Sequence, residues 1–127
     1  MKILVIGDSC TDIFVYGTIE RISPEAPVPV FLPSNTVESI GMAGNVANNI
    51  SSLGHDCDLI TNKSQITKTR YVETKSNQMI VRIDENDTIP ENDNFNLFKN
   101  SIRIEDYDAL VISDYDKGFL SSSNIEY

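Results

Sequence analysis

Four groups of residues in this chain have the types and spacing that ligand chemistry requires. The first is Gly41-Met42-Ala43-Gly44-Asn45, a glycine turn that opens backbone to its surroundings and then runs into a helix. Such a turn presents N–H groups and the positive end of the helix dipole, a floor suited to an oxygen-rich ligand. The same turn can also serve shape alone, as tight packing between two elements. The second group is Gly7-Asp8-Ser9-Cys10-Thr11-Asp12, directly after a continuous apolar run. Ligands of open α/β sheets sit outside the carboxyl ends of the strands, which favours Asp8 and Asp12 as binding residues. Turn-making through nearby backbone N–H groups is their other reading. Asp114-Tyr115-Asp116-Lys117-Gly118 stands in the same relation to a later apolar run. The fourth group is basic: Lys68 and Arg70 alternate along one run and Arg82 lies in the next. Three cations on one hairpin suit an anion such as phosphate, whereas a solvated charged face is the plain alternative.

These groups need elements to hold them. Lys2–Ile6 reads as a central parallel strand, apolar throughout and stopped by Gly7. Residues 13–19 are β-rich and predict a second strand. The segment after Arg21 carries Pro24, Pro27, Pro29 and Pro33, which forbids a helix or a central strand and leaves an extended edge. Val28, Val30 and Leu32 then share one face, with Pro29, Phe31 and Pro33 on the other. Val46, Ile50 and Leu53 recur at spacings of four and three, one apolar stripe on a helix that Gly54 caps. Residues 57–61 predict the next parallel strand, completing a βαβ-like arrangement. Residues 66–73 and 78–83 flank the polar Thr74-Lys75-Ser76-Asn77 and predict a hairpin. Phe95, Phe98 and Ile102 predict an amphipathic helix over 95–104, residues 107–113 a third sheet strand, and residues 119–127 the start of a helix capped within Ser121–Ser123.

Composition bounds the partners. At 127 residues the chain suffices for one domain with a modest core. Its net charge of −9 is concentrated between Asp84 and Asp116, where ten acids face only Lys99 and Arg103. That acidity argues against nucleic acid and against an anionic membrane surface as partners. No apolar run is long enough to span a bilayer, and the short opening run predicts a buried strand and a cytoplasmic protein. The two cysteines, Cys10 and Cys57, lack any metal-site spacing and are expected as free thiols.

Taken in order, several segments resemble the ribokinase-like (PfkB-type) carbohydrate kinases: Gly7-Asp8 with Asp12, Arg21-Ile22-Ser23-Pro24-Glu25-Ala26-Pro27-Val28-Pro29-Val30, Asn45-Val46-Ala47 with Leu53-Gly54, Lys68-Thr69-Arg70, Gln78 with Arg82-Ile83-Asp84, and Ser113-Asp114-Tyr115 with Lys117-Gly118. The proline segment and the Ser-Asp-Tyr-x-Lys-Gly motif are those of the heptose 7-phosphate kinase branch. The resemblance covers nearly the whole chain and matches the amino-terminal half of that fold. It implies an α/β, Rossmann-like sheet forming a partial ribokinase-like domain over residues 1–127, with a small β-lid near 13–40 and 66–84 that often makes a homodimer contact. It further implies that Asp12, Gly41 and Asn45 meet sugar hydroxyls, and that Arg21, Lys68, Arg70 and Arg82 meet the phosphate of a sugar phosphate. Asp114 and Lys117 match the motif at the inner edge of the cleft. The implied reaction is ATP- and Mg²⁺-dependent phosphorylation of an anomeric hydroxyl.

Three departures from the pattern matter. Met42 stands where the family has a second glycine, which predicts a reshaped or partly filled sugar pocket. Only a few residues connect Ile60 to Lys68, where the family carries a further helix and strand. The Gly-Ala-Gly-Asp anion hole with its catalytic aspartate is absent from the sequence, so no residue here matches the general base. Either a complementing polypeptide supplies that half, or the chain is a non-catalytic sugar-phosphate-binding or dimerisation module. An open sheet with an uncovered edge and helix layer is expected to dimerise or to be poorly stable.

Overall fold

The computed structural model describes residues 1–125. Strands β1 (Lys2–Gly7), β4 (Asp56–Ile60) and β7 (Ala109–Ser113) form a parallel sheet in the order β4-β1-β7. Strand β1 is central because it is apolar on both faces, the pattern of a strand covered on each side. On one side Val5, Leu59 and Val111 meet Ala43, Val46, Ala47 and Ile50 of helix α1 (Ala43–Ser52). On the other, Leu4 and Ile6 pack with Ile66, Ile89, Phe95 and Phe119.

Strands β2 (Ser9–Ile22), β3 (Pro29–Met42), β5 (Thr67–Glu73) and β6 (Gln78–Glu85) form a second sheet in the order β3-β2-β5-β6. It is built from two excursions of the chain, β2 and β3 between β1 and α1, and β5 and β6 after β4. The proline-bearing segment is an edge strand, as its missing donors require. Strand β2 pairs antiparallel with β3 and parallel with β5, and β5 pairs antiparallel with β6. The β5–β6 hairpin turn is fixed by Glu73, whose carboxylate accepts the N–H groups of Lys75 and Ser76 and the Ser76 hydroxyl at 2.7–3.1 Å. Asn77 takes the left-handed conformation (φ 53°) that closes it.

Several expectations are corrected. Leu53 is 77% exposed and lies past the last turn of α1; the small Ala43, Gly44 and Ala47 form the buried face instead, which brings the helix close to the sheet. Gly54 does cap the helix, with φ 85°. Residues 95–104 are not an α-helix. They form short 3₁₀ turns at Phe95–Leu97, Lys99–Ser101 and Ile104–Asp106, broken by Ile102 in extended conformation. Asn94 caps the first of these turns, its side chain accepting the Asn96 N–H. Packing of Phe95 and Phe98 on Phe119, at centroid distances of 6.2 and 6.1 Å, sets their directions. Within the described residues the final helix is α2 (Ser122–Ile125), starting three residues after the expected Phe119. Its N-terminal turn is closed by Asn124, whose side chain accepts the N–H and hydroxyl of Ser121 at 2.9 and 2.7 Å. Residues 126–127 of that expected helix lie outside the described residues. No helix of the described residues is long and apolar enough to cross a membrane.

Candidate functional site

The site lies where β1 gives way to β2, and strand register builds it. Residues paired across a sheet share a face. Cys10 pairs with Gly41, and Asp12 with both Ser39 and Lys68. Lys68 pairs in turn with Asp84, and Phe14 and Arg82 both with Arg70. One face of the four-stranded sheet therefore carries Cys10, Asp12, Lys68, Arg70, Arg82 and Asp84 together. This face closes a cavity of about 390 Å³ lined also by Gly41, Met42, Asn45 and Tyr115.

Inside it, the Arg70 guanidinium donates to Asp12 Oδ1 at 2.6 Å and lies over the Phe14 ring at 5.1 Å. Gly41 has no room for a side chain, since a Cβ there would stand 2.1 Å from Asp12 Oδ2 and 2.7 Å from Cys10 Sγ. Burial and the neighbouring Asp12 carboxylate push the Cys10 thiol up, which keeps it neutral and unreactive. Lys68 Nζ reaches Asp84 at 3.1 Å and Asp87 at 2.9 Å. Burial pulls on the Lys68 ammonium, but its bonds to Asp87 and Asp84 outweigh that and raise it overall. Arg82 Nε bonds Asp84 at 2.8 Å, and Lys117 Nζ bonds Asp87 at 2.7 Å. Lys117 and then Lys68 hold the Asp87 carboxyl below the usual range.

The other sequence candidates fall elsewhere. Asp8 is fully buried and does not line the cavity. Its carboxylate accepts the backbone N–H groups of Tyr115 at 2.6 Å and Phe119 at 3.1 Å, tying the end of β1 to the loop after β7. Burial raises its carboxyl against the pull of those donors. Asp114 is exposed and accepts the Asp116 N–H at 2.8 Å. Arg21 is exposed near the far end of β2, outside the cavity. The helix N-terminus is partly used already, because the Ala43 N–H donates to the Asp8 carbonyl at 2.9 Å. Met42 behaves differently from its expectation. Its side chain is 8% exposed and belongs to the core with Leu4, Ile6 and Ile66, while the residue still lines one wall of the cavity. Its backbone carries the cost, at φ 58° and ψ −130°, a region suited to glycine.

Sequence reasoning passed over Tyr115, which lines the cavity, and Asp87, which bridges the lining Lys68 to Lys117. Tyr115 could have been found from its place after the apolar β7 run. Asp87 lies beyond β6, after Asn86 in the left-handed conformation (φ 53°), where no periodicity reaches. Among the described residues no group of three or more His, Cys, Asp or Glu side chains is set to hold a metal ion. On the opposite face of the same sheet, Pro29, Phe31, Pro33, Tyr71, Ile80, Val81 and Ile83 line an open apolar groove of about 580 Å³. The short connection after β4 is held by Asp93, whose carboxylate accepts the Lys63 and Ser64 N–H groups at 2.5–3.0 Å.

Comparison with known proteins agrees with this architecture. No protein-family model matches the chain. By sequence it is 36% identical over 151 residues to the bifunctional protein HldE of Helicobacter acinonychis, covering 94% of this chain and 32% of that protein. It is 32% identical over 158 residues to HldE of Granulibacter bethesdensis, covering 99% and 32%. The chain thus spans about a third of the length of these curated relatives. Both matches run over more residues than the chain contains, so the relatives carry internal residues without counterpart here. Among solved structures, a carbohydrate kinase from Agrobacterium tumefaciens superposes with a TM-score of 0.51 at 19% identity, covering 88% of this chain and 45% of that one. The fold is α/β of the carbohydrate kinase kind, and the chain resembles the ribokinase-like kinases of the heptose branch.

Proposed function

We propose that the chain binds a sugar phosphate as the substrate side of a protein similar to heptose 7-phosphate kinase. One observation carries this reading: Asp12, Gly41, Asn45, Lys68, Arg70 and Arg82 line a single cavity at the carboxyl end of β1. Asp12 and Asn45 supply hydrogen-bond partners for hydroxyls, and Gly41 lets the ligand approach backbone. Lys68, Arg70 and Arg82 supply positive charge for a phosphate. Lys117 extends the charge at the inner edge beside Asp114, and Asp8 acts by holding the loop that carries both. Arg21 joins the phosphate only if the far end of β2 bends over the ligand. The four-stranded sheet, near residues 13–40 and 66–84, serves as the lid of the partial domain spanning residues 1–127.

The relatives are bifunctional, and phosphoryl transfer from ATP with Mg²⁺ is the chemistry expected of such a kinase. The residues described here do not fit that group. Among the described residues no group of carboxylates, cysteines or histidines suited to a divalent ion lies at the cavity. What this side of a kinase contributes is position: it fixes the sugar and screens its phosphate, the part of the barrier lowered by orientation. The transfer step itself is assigned to no residue of this chain, and a complementing polypeptide or longer chain would supply it.

A second reading, a dimerisation module, is favoured by the apolar face of the lid. Val81 and Ile83 of β6 are 47% and 44% exposed beside Phe31 and Tyr71. A β-face of this kind suits a second copy packed sheet to sheet. The two readings are compatible, because the charged and apolar faces are opposite.

Calorimetric titration with D-glycero-β-D-manno-heptose 7-phosphate, alone and with Mg-ATP, tests the first reading. Binding should weaken about tenfold in Asp12→Ala and in Arg70→Ala, the scale of one lost charged contact. No heat with either ligand would sink it.

A further inference from the structure

The cations of the site are already answered from within. Arg70 is held by Asp12, Arg82 by Asp84, Lys68 by Asp84 and Asp87, and Lys117 by Asp87. An arriving anion therefore competes with a carboxylate of the protein, and the three carboxylates are not held alike. Asp12 is held in the ladder of β2, paired with Ser39 and Lys68 on its two neighbours, its arginine partner lying over Phe14. Asp84 is a strand residue of β6, paired in register with Lys68 and bonded to both Lys68 and Arg82. Asp87 is outside the ladder, past the last residue of β6, and its side chain is 38% exposed against 22% and 24% for the other two. Its bonds in this network run to ammonium groups only, Lys68 and Lys117. An ammonium is a compact donor that exchanges one oxygen for another without re-aiming, unlike an arginine fork.

We propose that Asp87 is a specificity-determining residue: an internal carboxylate that occupies the anion position between Lys68 and Lys117 and yields it only to a ligand of higher charge. The inference rests on the sugar-phosphate reading and narrows it. A neutral sugar cannot displace Asp87. A monoanion such as a uronate exchanges one single charge for another and gains little. A phosphate monoester, carrying close to two charges at neutral pH, gains on the exchange, and Lys68 and Lys117 then clamp it from two elements.

Titration calorimetry at pH 7.5 with inorganic phosphate and with glucuronate, on the wild-type chain and on Asp87→Asn, reads this directly. The wild type should bind phosphate and give no measurable heat with glucuronate. Asp87→Asn should bind phosphate about tenfold more tightly, the scale of two partly exposed ion pairs removed, and should acquire glucuronate binding. Adding Lys117→Ala to Asp87→Asn should cancel the gain. Glu85→Gln, which removes a charge from β6 outside the network, should change affinity less than about twofold. If the wild type binds phosphate but Asp87→Asn binds it no better, or if Glu85→Gln gains as much, the role of Asp87 is overturned and the sugar-phosphate reading stands. If neither protein binds phosphate, the cluster is a structural ion-pair network and both are overturned.

Discussion

The two sheets of this molecule are stabilised by different physics. In the parallel sheet, Leu4 and Val5 are wholly buried, between α1 on one side and the aromatic cluster of Phe95 and Phe119 on the other. In the four-stranded sheet every residue of β6 is exposed, and the strands are held by backbone ladders, by edge-on packing of Phe31 with Tyr71 at 5.5 Å, and by the ion pairs of one face. The first sheet specifies the fold through burial. The second offers surfaces: charge toward the cavity, apolar groups away from it. The candidate site sits on the seam, where a rigid strand end meets an element that burial does not lock.

The largest expected effect separates these two sources of stability. Leu4→Ala should cost about 3–4 kcal/mol in urea unfolding, as a core truncation that leaves a cavity. Val81→Ala should cost within about 0.5 kcal/mol in the monomer, yet weaken self-association measured by sedimentation. Equal effects on unfolding would erase the distinction between the sheets.

At the seam, Gly41→Ala should lower sugar-phosphate affinity by about tenfold or more, because Asp12 must move to admit the Cβ and misplacement of this kind is expensive. Stability should change much less, since Asp12 can relax toward the open cavity. Met42 sharpens the same boundary. Met42→Ala keeps the left-handed strain and loses the buried side chain, whereas Met42→Gly removes about 1–3 kcal/mol of strain. Met42→Gly should therefore melt above Met42→Ala, the reverse of the usual ranking of glycine and alanine.

The sheets should also part company on acidification. Asp84 and Asp87 are held low by their lysine partners. They stabilise the fold above the ordinary carboxylate range, and that contribution is lost as pH falls through their depressed values. Asp8 is raised by burial, so its ionisation costs stability as pH rises through its folded value, and protonation relieves that cost. Relative to Asp8→Asn, the wild type should thus gain stability as pH falls toward the ordinary carboxylate range, and relative to Asp87→Asn it should lose stability as pH falls through and below that range. Denaturant midpoints across pH 3–7 check both signs. The smallest effect belongs to Arg21→Ala: with Arg21 outside the cavity, affinity should stay within about twofold, the weight of an exposed charge.

Much of this was readable from the chain because it rests on short-range rules. The apolar run of β1, the β5–β6 hairpin, the edge character imposed by Pro29 and Pro33, and the cap at Gly54 each follow from local chemistry. So does the grouping of Lys68, Arg70 and Arg82, since alternation fixes the face. What escaped depends on tertiary context. Strand β2 begins at Ser9, immediately after the sheet it leaves, and this start carries no apolar alternation because Cys10 and Asp12 line the cavity. Phe95, Phe98 and Ile102 have helical spacing, yet packing on Phe119 and the extended backbone at Ile102 divide the segment into turns. Asp8 looked like a ligand residue from its place at a strand end; only burial reveals it as a tie between β1 and the loop after β7. Met42 resolves its conflict by straining its backbone, a choice that no residue pattern announces.

The most direct test of the central claim is an amide-resolved NMR titration of the chain with heptose 7-phosphate. Saturable shifts are expected at Cys10, Asp12, Gly41, Asn45, Lys68, Arg70 and Arg82, with Phe31 and Ile83 on the apolar face unmoved. Shifts confined to the apolar face, or none anywhere at millimolar ligand, would contradict it.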